Sequence, residues 1–279
     1  MAIGGFRIMD NHFHLREDGM FIDAVKIFRK AGGDIINLVN LPDHSLPPDN
    51  YYETIYERTL RIADAVRSNT DVDVLLTLGP YPLDYFYFRD NNLDPIKEII
   101  RGIDMLGRYC DENLISAIGE IGRPHFEVPD QVMNDSNLIL EHGLEFAADR
   151  EIPAILHTED VDDRTMNKIR SMAINSGMKP SMVIKHHASI QNVSEPMGIT
   201  QSILATRPNL RGSIETGNLF LLETDYVDDP QKPGKVIAPD SVPRRALMIK
   251  GEYGDNQKIL SDIFQKLPSM IYGKEHFEA

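Results

Sequence analysis

Eight short apolar runs, most of them followed by a segment of helical periodicity, set the strongest constraint on this 279-residue chain. The runs fall at residues 6–9, 35–39, 72–78, 115–121, 152–157, 182–186, 198–204 and 219–223. Runs of this length bounded by turn residues read as buried strands. Between them, apolar residues recur at helical spacing: Phe21, Ala24, Val25 and Phe28; Ile55, Tyr56, Leu60, Ala63 and Val66; Ile96, Ile99, Ile100, Ile103 and Leu106; Met166, Ile169, Met172 and Ala173. A more polar helix is expected over about 131–150, and a short one near 209–217. A long loop marked by Asp229-Pro230, Pro233-Gly234, Pro239 and Pro243 then leads to a last helix carrying Ile259, Leu260, Ile263, Phe264 and Leu267. Strand–helix alternation repeated eight times predicts an α/β chain folded as a (β/α)8 TIM barrel. A doubly wound open sheet is the alternative, and the absence of a glycine-rich phosphate fingerprint after strand one weighs against it. No linker interrupts the pattern, so one domain is expected over 1–279.

Composition narrows the class. Hydrophobic residues make up 42% and charged residues 26% of the sequence, ordinary values for a globular protein. The apolar runs are far too short to cross a bilayer. The N-terminus has no basic region followed by a long apolar one, so no signal peptide is expected. A single cysteine, Cys110, excludes an internal disulfide framework and a cysteine zinc site. A cytoplasmic location is the corresponding expectation. The net charge of −14 disfavours long nucleic acid as the main substrate, since gripping a phosphate backbone requires a basic surface. A small molecule or a short phosphoester fits better. The sequence is silent on oligomeric state.

The residues that carry chemistry sit at strand ends. Asp10-Asn11-His12-Phe13-His14 is expected where strand one ends. Strand residues two apart share a face, so His12 and His14 can aim at one ion. An HxH triplet alone is weak. It gains weight because Glu120, His157, His186 and Asp225 also end apolar runs four, five, six and eight. Barrels of this class build their sites at that C-terminal face, and imidazole with carboxylate suits a divalent transition metal.

These motifs resemble the TatD family of metal-dependent hydrolases, in the amidohydrolase superfamily, and most closely its archaeal TatD-related branch. His12-Phe13-His14 matches the family's strand-one HxH, and Gly119-Glu120-Ile121-Gly122 its GEIG. His186-His187-Ala188-Ser189 resembles its HCFS segment, Glu223-Thr224-Asp225 matches its ETD, and residues 259–273 resemble its closing helix. The resemblance implies one or two divalent ions (zinc, manganese or magnesium). In that pattern His12, His14 and Asp225 hold the first, Glu120 bridges, and His157 with His186 holds the second. Such ions acidify a bound water into a nucleophile near neutrality, and Asp225 is placed to orient it and take its proton.

Two departures bear on substrate. Arg123-Pro124-His125 stands where the family usually has Leu-Asp, and Glu159 where it usually has an arginine. Loss of that cation weakens a phosphate clamp unless Arg123 or Lys185 replaces it. Of the adjacent His186 and His187, period-two geometry allows one inward ligand, and the motif favours His186. Lys185 is either a solvated loop residue or a substrate contact. His44, His125 and the Arg244-Arg245 pair are further substrate-side candidates, with turn chemistry and a surface salt bridge as the plain readings of the first and last. Glu159-Asp160 and Asp162-Asp163 fit a solvated helix N-terminus. The expected function is hydrolysis by a metal-activated water, with a phosphoester or phosphodiester as the leading substrate. An amide or lactone, and a barrel that binds metal without turnover, are the alternatives.

Overall fold

The computed structural model describes residues 3–229, 237–254 and 257–277. Its strands are β1 (Met9–His14), β2 (Ile35–Val39), β3 (Asp73–Leu78), β4 (Ala117–Gly122), β5 (Ala154–His157), β6 (Val183–Lys185), β7 (Thr200–Leu204), β8 (Leu221–Glu223) and β9 (Tyr226–Val227). They form one parallel sheet in the order β8-β7-β6-β5-β4-β3-β2-β1-β9. β8 pairs with β7, and only two residues later β9 pairs with β1, Phe13 opposite Tyr226. One broken final strand therefore touches both edges and closes the sheet into the expected (β/α)8 barrel.

Helices cover the outside: α1 (Ile22–Lys30), α2 (Tyr51–Asn69), α3 (Asp84–Asp90), α4 (Pro95–Asp104), α5 (Leu106–Asp111), α6 (Asp130–Asp149), α7 (Asp163–Asn175), α8 (Ile190–Ser194), α9 (Arg207–Thr216) and α10 (Ser241–Glu252). The apolar stripes face inward. Phe28, Ile55, Tyr56, Val66, Ile103 and Ile169 pack with Ile36, Leu76, Ile118 and Leu156 of the strands. α11 (Gln257–Ser261), a π-helical turn (Asp262–Lys266) and α12 (Leu267–Tyr272) form the closing helix. Its Leu267, Ile271 and Tyr272 pack on Met9, Ile35, Leu75, Ala117, Ile155, Ile184 and Leu221, which all lie at or near strand starts. The closing helix thus plugs the foot of the barrel, and the strand ends at the opposite mouth are left for chemistry.

The structure corrects three expectations. Strand one is not 6–9 but Met9–His14, because the polar Asp10, Asn11, His12 and His14 are all buried and partnered inside the barrel. Polarity there marks the barrel interior and not the end of a strand. The long loop is shorter than expected, since α10 starts at Ser241 and takes in Pro243 near its start. A first-turn proline costs a helix no hydrogen bond, because that N–H has no partner within the helix. Pro230, Pro233 and Gly234 lie outside the described residues. Finally, Lys185 is buried, which rules out the solvated-loop reading.

Candidate metal centre

Four strand ends and the break between β8 and β9 converge at the barrel mouth. The His14 Nδ1–H donates to Val39 O at 2.9 Å, which turns Nε2 inward. His12 Nε2 lies 3.1 Å from His14 Nε2 and 2.7 Å from Glu120 Oε1. Asp225 Oδ1 is 3.6 Å from His14 Nε2 and 3.9 Å from His12 Nε2. On the other side of Glu120, His186 Nε2 is 3.3 Å from Oε1 and His157 Nδ1 is 3.5 Å from Oε2. His157 Nδ1 and His186 Nε2 are 3.2 Å apart. Ligand-type atoms of His12, His14, Glu120 and Asp225 all lie within 4.8 Å of one another, as do those of Glu120, His157 and His186. The two sets share Glu120. A third set, His12, His186 and Glu223, overlaps them.

Local devices hold these groups. Gly119 and Gly122 have φ of +150° and +143°, and a Cβ on Gly122 would meet His157 O at 2.1 Å, so only glycine lets β4 approach β5 this closely. The register irregularities of β1 between Asp10 and Phe13, and of β4 between Ile118 and Ile121, flank His12 and Glu120. Irregular register beside a site re-aims side chains. Asp10 accepts from Thr224 N (2.9 Å) and Thr224 Oγ1 (2.7 Å), pinning the segment that presents Asp225 at φ 49°.

The electrostatics are set by burying imidazoles beside ionised carboxylates. Burial opposes protonation of His12, but Glu120, Asp225 and Glu223 outweigh it and push its pKa up to about 9. Burial also works against ionising Asp225, yet His14, His12 and His186 hold it down to about 2. Glu120 is likewise held well below the usual carboxylate range, its burial overcome by His186 and His12. Burial lowers His186. Ring nitrogens about 3 Å apart around two ionised carboxylates have too few protons to satisfy one another, and a cation fits between them.

The substrate-side candidates divide. His125 stands at the mouth, exposed, with Nδ1 2.8 Å from His157 Nε2. Arg123 is buried, with Nη2 2.7 Å from Glu159 Oε1, so the two departures from the family pattern face each other as an ion pair. Lys185 donates from Nζ to His186 O at 2.6 Å. His44, on the loop after β2, has Nε2 2.8 Å from Asp84 Oδ1 and stacks on Tyr87. Arg244 is exposed and pairs with Asp240 four residues back at 2.6 Å. His187 is exposed at φ 52°, beyond the end of β6, so strand periodicity no longer governs it. Asp162 caps α7 by accepting from Thr165 N, as a solvated helix start should.

Sequence reasoning missed Tyr81, whose hydroxyl is 3.4 Å from His157 Nε2, and Asp84, which also accepts from Tyr51, Tyr52 and the Tyr81 N–H. It also missed the roles of Asp10 and Glu223. The signal available for Glu223 was an acid closing the otherwise apolar run 219–223.

The sequence matches the family described as TatD related DNase over residues 9–273. This chain belongs to that family. An uncharacterized protein of Methanocaldococcus jannaschii is 31% identical over 252 residues, 88% of each chain. Among solved structures, a TatD homolog from Escherichia coli superposes with a TM-score of 0.63 at 20% identity, covering 95% of this chain and 98% of that one. The Escherichia coli phosphotriesterase homology protein, described as complexed with phosphate in its active site, gives 0.63 at 12% identity, covering 98% and 100%. These likenesses are of fold. The chain has the fold of TatD-type metal-dependent hydrolases, with His, Glu and Asp clusters at its mouth that can hold divalent metal. Among the described residues no helix is long and apolar enough to cross a membrane.

Proposed function

We propose that this protein hydrolyses a small phosphoester or phosphodiester with two divalent ions. The observation that carries the reading is the pair of ligand sets overlapping at Glu120. His12, His14 and Asp225 would hold the first ion and His157 with His186 the second, and Glu120, which both sets contain, would serve both. Four imidazoles and two carboxylates favour zinc or manganese over magnesium, which prefers an oxygen-only shell. When bound, such ions supply Lewis acidity and an acidified water.

The chain's own residues do the rest. Asp225, the most exposed carboxylate of the cluster, is the group that takes the proton from the attacking water. His125 and Tyr81 border His157 and would contact the ester oxygens. His44, anchored by Asp84, lies on the same face and is the next substrate contact outward. Arg123 is neutralised by Glu159, so it would meet an anion only by exchanging partners. Lys185 and Arg244 already have partners, and their substrate roles rest on the same exchange. Weak cationic provision favours a substrate with little charge beyond its scissile group.

The test is turnover of bis-p-nitrophenyl phosphate, p-nitrophenyl acetate and a γ-lactone by the zinc- or manganese-loaded protein. Phosphodiester hydrolysis abolished by chelation is expected. Turnover of the acetate or lactone alone would move the protein to carbonyl chemistry, and metal binding with no turnover would leave a binding protein.

A further inference from the structure

The barrel interior, usually filled by layers of apolar side chains, here carries a buried polar string from foot to mouth. Tyr272, in the closing helix, donates its hydroxyl to Asn11 Oδ1 at 2.7 Å. Asn11 Nδ2 donates to Ser202 Oγ at 3.0 Å, and Ser202 Oγ donates to Glu223 Oε2. Glu223 Oε1 receives the backbone N–H of His187 at 2.7 Å and lies 3.3 Å from His186 Nδ1. All five side chains from Tyr272 to His186 are buried. Asn37 steadies the lower end, reaching Asn11 O at 3.0 Å and Thr77 Oγ1 at 2.8 Å.

The donors all run one way, toward Glu223. Buried His186 Nδ1 lies 3.3 Å from Glu223 Oε1 and has no other hydrogen-bond partner among the described residues. An imidazole that gives its Nδ1–H to a carboxylate keeps the Nε2 lone pair for a metal, with its ring orientation fixed. Chains of aligned hydrogen bonds also polarise one another. On the two-ion reading above, we propose that Glu223 is the positioning residue for His186, and that Tyr272 sets it through Asn11 and Ser202. Affinity for the second ion is thereby coupled to docking of the closing helix at the opposite end of the barrel. Glu223 is then not itself a ligand, although it lies close enough to His12 and His186 to resemble one.

Zinc titrations of the full chain against a competing chelator read the two binding steps separately. Glu223→Gln is expected to weaken the second step by about 10–100-fold, the usual cost of losing an outer carboxylate, and to leave the first unchanged. Ser202→Ala and Tyr272→Phe should weaken the same step by less. Tyr272→Phe combined with Glu223→Gln should be no weaker than Glu223→Gln alone, because the tyrosine acts only through the carboxylate. Additive losses, or a Tyr272→Phe protein that melts earlier yet binds the second zinc normally, overturn the relay. Ser202→Ala carries the same test if Tyr272→Phe does not fold. A native protein that binds fewer than two zinc ions removes the two-ion reading and the relay with it. Two native ions with Glu223→Gln unaffected overturn the relay alone.

Discussion

At the scale of single residues, Asp225 separates ligation from proton transfer. An amide keeps an oxygen for the metal but cannot take a proton as a carboxylate does. Asp225→Asn should therefore retain bound metal while kcat falls by about 10²-fold or more. The measurement is turnover with metal content determined on the same sample, and near-native turnover with full metal would assign Asp225 to structure. His186 and His187 give a second contrast. One is buried against Glu120, and the other is exposed with only its backbone N–H turned to Glu223. His186→Ala should lose one of two ions by elemental analysis, and His187→Ala should lose none. The reverse result would mean that the neighbouring histidine is the ligand.

At the scale of elements, the site depends on backbones packed too closely for side chains. Gly122 holds β4 against the carbonyl of His157. Gly122→Ala should cost of order 1–3 kcal/mol from the strained φ alone, with the clash added, as read by denaturant unfolding of the metal-free protein. It should also disturb zinc binding, because the displaced strand carries His157. Unchanged stability would show that β4 and β5 can separate without penalty. The break between β8 and β9 works the same way. Two residues taken out of the ladder close the barrel and present Asp225, with Asp10 clasping Thr224 beneath it.

At the scale of the whole molecule, charge and protonation set the conditions of use. With 43 acidic against 29 basic residues, the protein can neutralise few phosphates of a duplex. Random duplex DNA should bind poorly at physiological salt, with a shallow dependence of log K on log salt. Tight binding with a steep slope, in a fluorescence anisotropy titration, would restore long DNA as a substrate. The His12 pKa of about 9 in the metal-free protein lies above its ordinary 6.5. Its protonation therefore stabilises the fold fully below pH 6.5, and that contribution is lost as pH rises toward 9. Zinc must displace the same proton, so zinc affinity should rise over the interval in which the metal-free protein loses stability. Unfolding midpoints and zinc titrations between pH 6.5 and 9 check both signs, and parallel trends would place the proton elsewhere.

The sequence alone determined the barrel and the six residues at its mouth. Alternating apolar runs and helical stripes report which faces are buried, and strands such as Ile35–Val39 carry that signal locally. Glu120, His157, His186 and Asp225 were legible as metal-type residues at the close of such runs, and His12 and His14 as a pair two apart on one strand face. Only the tertiary structure decided what those residues touch. Strand one hid its extent because its polar residues are partnered by Ser202, Thr224 and Glu120, up to 214 positions away. Glu223 reads in sequence as one more acid beside Asp225, and Tyr272 as one more apolar helix residue. Their connection through Asn11 and Ser202 exists only once the barrel closes, because hydrogen bonding is decided by distance in space and periodicity records only burial.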